Sequence, residues 1–90
     1  MAVVQVPEEL RQIARQILAE NKSADQWADI ESDDMFQSTS LVGGYEAVEG
    51  AFCFSYYDGR GKEYWFQLTL AEMTEIATGE RREVATRPAD

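Results

Sequence analysis

Seven of the chain's ten aromatic residues stand between Phe52 and Phe66, in two alternating runs joined by Asp58-Gly59-Arg60-Gly61-Lys62. A β-hairpin here dictates what the rest of the chain must cover. Residues opposite each other in a sheet share a face, and side chains alternate with a period of two. A three-residue loop Gly59-Arg60-Gly61, closed by Asp58 and Lys62, sets Tyr56 opposite Tyr64, Phe54 opposite Phe66 and Phe52 opposite Leu68. All six then face one way. A two-residue loop sets Phe54 opposite Trp65 and Phe52 opposite Gln67, which mixes the faces. The longer loop is therefore expected, as a type I turn followed by a left-handed residue, with Gly61 taking the positive φ. The second face carries Cys53, Ser55, Tyr57, Glu63, Trp65 and Gln67 and is only half apolar.

Upstream, Val6-Pro7-Glu8-Glu9 opens a helix with proline at its start and two carboxylates near the positive end of the helix dipole. Leu10, Ile13, Ala14, Ile17 and Leu18 then follow the spacing of one buried stripe. Ser23-Ala24-Asp25-Gln26 matches a capping box and predicts a helical turn that carries Trp27 and Ile30 inward. Met35 to Val42 reads as a first strand, and Gly43-Gly44 as a turn, or a bulge, leading to the strand through Phe52. After the hairpin, Thr69-Leu70-Ala71-Glu72 is a second capping box, and Leu70, Met73, Ile76 and Ala77 predict a short helix that stops at Gly79. Met1 to Val6 reads as a frayed end or a small edge strand. Residues 80–90 have little apolar content and read as a mobile C-terminal tail, leaving a single domain over residues 1–79.

The expected fold class is α+β, in the order α-β-β-β-α, with an antiparallel three-stranded meander carrying both helices on one face. With 44% hydrophobic and 28% charged residues the composition is that of a folded protein rather than a disordered one. No apolar run reaches the roughly 20 residues needed to span a bilayer, and no signal peptide is visible at the N-terminus, so a cytoplasmic location is expected. A lone cysteine, Cys53, precludes an internal disulfide. The absence of histidine removes the usual zinc ligand and the usual general base near neutral pH.

The net charge of −9 is concentrated in one stretch. Between Ser23 and Gly59 lie eight acidic residues, Asp25, Asp29, Glu31, Asp33, Asp34, Glu46, Glu49 and Asp58, and no Lys or Arg. Such a field repels phosphate backbones and anionic lipids and favours a basic protein partner. The Asp29, Glu31, Asp33, Asp34 cluster lacks the glycine and glutamate that a calcium loop needs at its sixth and twelfth positions. Cys53 sits in a strand with no histidine to activate it. The acidic residues around the hairpin do not by themselves define a cleft for acid/base chemistry. No catalytic, cofactor or metal residue is therefore assigned.

The strongest functional expectation is a non-enzymatic protein-binding module that uses Asp25, Asp29, Glu31, Asp33 and Asp34 together with Tyr57 and Trp65 to hold or block a basic protein. Exposed tyrosine and tryptophan are the residue types that anchor interfaces. A homodimer through the Tyr57/Trp65 face would also supply the core that a small domain lacks. In bulk character the chain resembles bacterial inhibitor, immunity or antitoxin proteins. Two alternatives remain: a small-ligand binder with an aromatic pocket between helix and sheet lined by Trp27, Phe36 or Tyr45, and a small enzyme that works through paired carboxylates.

Overall fold

The computed structural model describes residues 2–30 and 36–88. The aromatic hairpin is formed by strands β4 (Ala51–Tyr57) and β5 (Glu63–Leu68), paired in the expected register: Tyr56 opposite Tyr64, Phe54 opposite Phe66, Phe52 opposite Leu68. The Asp58 amide donates to the Lys62 carbonyl at 3.1 Å, and the Asp58 carboxylate accepts from the Arg60 amide at 2.7 Å. Gly61 has φ 86° as expected, but Gly59 is also left-handed at φ 81°, so the loop does not begin as a type I turn. Two glycines make this turn cheap.

The sheet is larger than a three-stranded meander. Among the described residues six strands run in the order β1-β6-β5-β4-β3-β2, antiparallel throughout: β1 (Ala2–Gln5), β2 (Phe36–Gln37), β3 (Leu41–Glu46), β4, β5 and β6 (Glu83–Pro88). Of residues 80–90, expected as a tail, Glu83–Pro88 form a strand, and 89–90 lie outside the described residues. Val84 and Thr86 are buried while Glu83 and Ala85 are exposed, the alternation of a half-covered strand. β6 pairs with β1 over Glu83 to Thr86 and reaches β5 through Arg87 and Pro88, so the two ends of the described chain complete one side of the sheet.

The segment before the hairpin also departs from expectation. Residues Phe36 to Val42 do not make one strand: the Ser38 amide donates to the Leu41 carbonyl at 2.7 Å and turns the chain between β2 and β3. Gly43 and Gly44 lie in the middle of β3, and the turn comes at residues 47–50, where Gly50 has φ 66°. Gly43 serves packing rather than turning. A Cβ placed there would lie 2.1 Å from the Cys53 carbonyl oxygen and 2.7 Å from Cδ1 of Phe54, so only glycine lets the Phe54 ring lie over β3.

Among the described residues three helices accompany the sheet, one more than the expected order contains. α1 (Glu8–Glu20) follows Pro7 and ends at Asn21, whose φ of 53° is the left-handed cap that asparagine tolerates. α2 (Ala24–Ala28) and α3 (Leu70–Thr78) both begin with complete capping boxes, Ser23 with Gln26 and Thr69 with Glu72. The five residues of α2 are too few to hold a helix alone. What fixes it is Trp27, fully buried with its ring edge-on to Phe52 at 5.2 Å.

All three helices lie on one face of the sheet. Leu10, Ile13, Ala14 and Ile17 of α1, Trp27 of α2, and Met73 and Ile76 of α3 form a single cluster with the inward residues of the strands, including Phe36, Leu41, Tyr45, Phe52, Phe54, Phe66, Leu68 and Val84. Arg81 ties the end of α3 to the approach of β6, its Nε and Nη2 donating to Oε1 of Glu75 at 2.9 and 2.7 Å. Among the described residues no helix is long and apolar enough to cross a membrane.

Candidate functional site

With the helices on one side, no layer of the described residues covers the other face of the sheet. In its three central strands the register assigns Val42, Gly44 and Glu46 from β3, Cys53, Ser55 and Tyr57 from β4, and Glu63, Trp65 and Gln67 from β5; β6 adds Ala85 and sets Arg87 opposite Trp65, and β1 adds Val3. Trp65 is 54% exposed and Tyr57 49%, large values for aromatic side chains in central strands of a six-stranded sheet. Val48, at the β3–β4 turn, is 95% exposed. Exposed apolar groups gathered on one face mark a docking surface more often than scattered ones do.

The face is grooved rather than flat. Outward side chains on β4 are small, so Cys53 and Ser55 form the floor of a concavity of about 570 Å³, while Trp65 and Gln67 border it on one side and Val42 and Glu46 on the other. Val48 and Glu49 of the turn line it as well. A second concavity of about 330 Å³ shares Val42 and Ser55 with the first and continues to Tyr57, Glu63 and the Ser38–Ser40 turn. Together they make a trough along β4.

Among its described lining residues the charge is of one sign, while the register sets Arg87 of β6 opposite Trp65, on the side away from β3. Glu46 and Glu49 are the charged residues lining the larger concavity, and no Lys or Arg is among its described lining residues. The Cys53 thiol registers this: burial raises its pKa above the ordinary thiol value, the negative charges of Glu46 and Glu49 raise it further, and a hydrogen bond with Gln67 opposes them. The thiol is therefore protonated at neutral pH and a poor nucleophile. Among the described residues no group of three His, Cys, Asp or Glu side chains is arranged to hold a metal ion.

The site residues expected from sequence fall into three sets. Tyr57 and Trp65 stand together on the open face. Asp25 and Asp29 are exposed at α2, which packs on the opposite face of the sheet, so they do not join the aromatic pair in one surface. Glu31, Asp33 and Asp34 lie outside the described residues. Sequence reasoning missed Val42, Glu46, Val48 and Glu49, because placing the turn at Gly43-Gly44 hid the hairpin that brings them to the trough. Gly50 was the available signal, a glycine at the end of an apolar-poor run just before the aromatic strand.

Of the three aromatics expected to line a pocket between helix and sheet, Phe36 borders a mostly polar concavity of about 220 Å³ between α1 and β2, with Glu9, Gln12, Ile13 and Gln16, and Trp27 and Tyr45 are not among its lining residues. Their rings meet directly: Trp27 lies 6.3 Å from Phe36 and 5.2 Å from Phe52, and Tyr45 lies 5.0 Å from Phe52, centroid to centroid. They are core. On the helix side Lys22 pairs with Glu20 and places its Nζ 4.9 Å from the centre of the Trp27 ring, sealing the end of that core. Compared with protein families, with curated proteins and with solved structures, the chain finds no match.

Proposed function

We propose that this protein is a non-enzymatic binding module that holds or blocks a basic protein partner through the open face of its sheet. The observation that carries the reading is the half-exposed pair Trp65 and Tyr57, set along an uncovered trough with acidic borders. Aromatic side chains of this kind dominate the energetics of interfaces once a partner desolvates them. Glu46, Glu49 and Glu63 along the trough, with the net charge of −9, select a cationic partner and speed its encounter. A second copy of the chain suits the face less well, since each copy brings the same excess of negative charge. The acidic residues at α2 act at a distance, as part of the overall field rather than as contacts in the same surface.

The test begins with affinity retrieval from the native host, followed by binding kinetics on each basic protein recovered. Trp65→Ala and Tyr57→Ala are expected to raise the dissociation rate, and added salt to lower the association rate. Replacing Asp25 and Asp29 by Asn is expected to slow association modestly without touching dissociation. A partner whose dissociation is unchanged in both aromatic variants would remove the open face from the account.

A further inference from the structure

We infer that the trough along β4 is the seat of a single lysine or arginine side chain of the partner, its aliphatic stem lying against Trp65 and Val42 and its cationic head reaching Glu46 and Glu49. This rests on the reading of the open face as a docking surface and specifies what that surface recognises. Three features of the trough argue for such an occupant. Its floor is low because Cys53 and Ser55 are small, so a side chain can lie along β4 between the bordering residues. Beside that floor stands an indole 54% exposed, a partner for an aliphatic stem and for a cation over its ring. The charged groups lining it are two carboxylates from one hairpin, Glu46 at the end of β3 and Glu49 in the turn that follows.

Other occupants fit less well. An anionic ligand meets Glu46 and Glu49 with no described cation in the lining to offset them. A neutral apolar molecule would partly desolvate both carboxylates without supplying a counter-charge. An amphipathic side chain with an apolar stem and a charged end satisfies the indole and the carboxylates together. At about 570 Å³ the concavity exceeds one side chain, leaving room for the backbone and neighbours of a peptide segment rather than for a free amine alone.

The experiment titrates the full chain with blocked peptides, acetyl-Gly-Leu-Arg-Leu-Gly-amide and its lysine and citrulline counterparts, followed by amide and indole NMR signals. The arginine and lysine peptides are expected to shift Glu46, Glu49, Cys53, Ser55 and the Trp65 indole while leaving the buried Trp27 indole in place. Citrulline keeps the shape of arginine without its charge, and is expected to bind about tenfold more weakly, the sum of two solvent-screened charge contacts and one cation–π contact. Glu46→Gln with Glu49→Gln should erase the difference between arginine and citrulline. Equal binding of the two peptides to the native chain, absence of binding, or shifts confined to another surface would each overturn the seat, without reliance on any variant's folding. The two readings separate on a recovered protein partner. If Trp65→Ala weakens that complex and Glu46→Gln with Glu49→Gln does not, the seat falls and the docking face stands; if neither weakens it, both fall.

Discussion

The two faces of β4 differ by one residue in sequence and by everything in chemistry. Phe52 and Phe54 point to the helices and are buried among Trp27, Tyr45 and Phe66; Cys53 and Ser55, their neighbours, floor an uncovered trough. The difference follows from how much chain there is. A chain of 90 residues buries only roughly 60% of the surface its unfolded form exposes, and the described six-stranded sheet with its three helices has one covering layer to give. Where that layer goes is decided by the face that is continuously apolar. The half-apolar face is left to water, and its aromatic residues with it.

This asymmetry predicts opposite responses to the same kind of truncation. Phe54→Ala removes a ring that is 3% exposed and packed 5.8 Å from Phe66, and is expected to cost about 3–5 kcal/mol, a large part of the stability of a domain this small. Trp65→Ala removes a larger side chain from the open face and is expected to cost about 1 kcal/mol or less, mainly its cross-strand contacts. Chemical denaturation of the two variants measures both. Similar losses would mean that the open face is not open in solution, with Trp65 covered by something bound to it.

A subtler break uses the opposite operation, adding atoms. At Gly43 the inward face has no room: the added Cβ of Gly43→Ala meets a backbone carbonyl as well as the Phe54 ring, and the carbonyl cannot swing away as a side chain would. A destabilisation of about 1–3 kcal/mol or more is expected, against roughly half a kcal/mol at most for Ser55→Ala on the outward face of β4. The comparison is read from midpoints of thermal or urea unfolding. A Gly43→Ala protein as stable as the native one would show that Phe54 does not lie over β3, and the inward packing would have to be redrawn.

How far the sequence reveals this arrangement depends on whether the information is local. The β4–β5 register was legible because turn glycines and alternating aromatics sit within one hairpin, and the two capping boxes were legible because Ser23 with Gln26 and Thr69 with Glu72 each act over three residues. The pairing of β1 with β6 was not. Each is a short strand whose backbone is satisfied by the other from the far end of the chain, and the alternation of Val84 and Thr86 is too brief to announce itself among charged neighbours. Gly43 misled because glycine's commonest signal is a turn, whereas here it marks the close approach of a ring. Of the candidate site, Tyr57 and Trp65 followed from alternation alone. Glu46, Val48 and Glu49 did not, since their place beside the trough depends on where β3 turns. The cluster of acids was visible as charge, but not the side of the sheet to which Asp25 and Asp29 belong.

The smallest expected effect probes the floor of the trough itself, through the one thiol. Burial first, then Glu46 and Glu49, raise the pKa of Cys53 above that of a free cysteine, so the folded chain holds the thiol proton to higher pH than the unfolded chain does. Between the ordinary value and the raised one the folded state binds more protons, and stability therefore falls as pH rises through that window; below the ordinary value the contribution is fully present. The same shift governs reactivity, because only the thiolate attacks. At pH 8 Cys53 is expected to react with a small neutral alkylating reagent more slowly than glutathione does, and Glu46→Gln with Glu49→Gln should speed it by lowering the pKa. Cys53→Ser should remove this part of the alkaline loss of stability while leaving the fold in place. Labelling as fast as glutathione, unchanged in the double variant, would mean that the two carboxylates do not act on the floor of the trough, and the open face would then be an aromatic surface without the charge selectivity assigned to it.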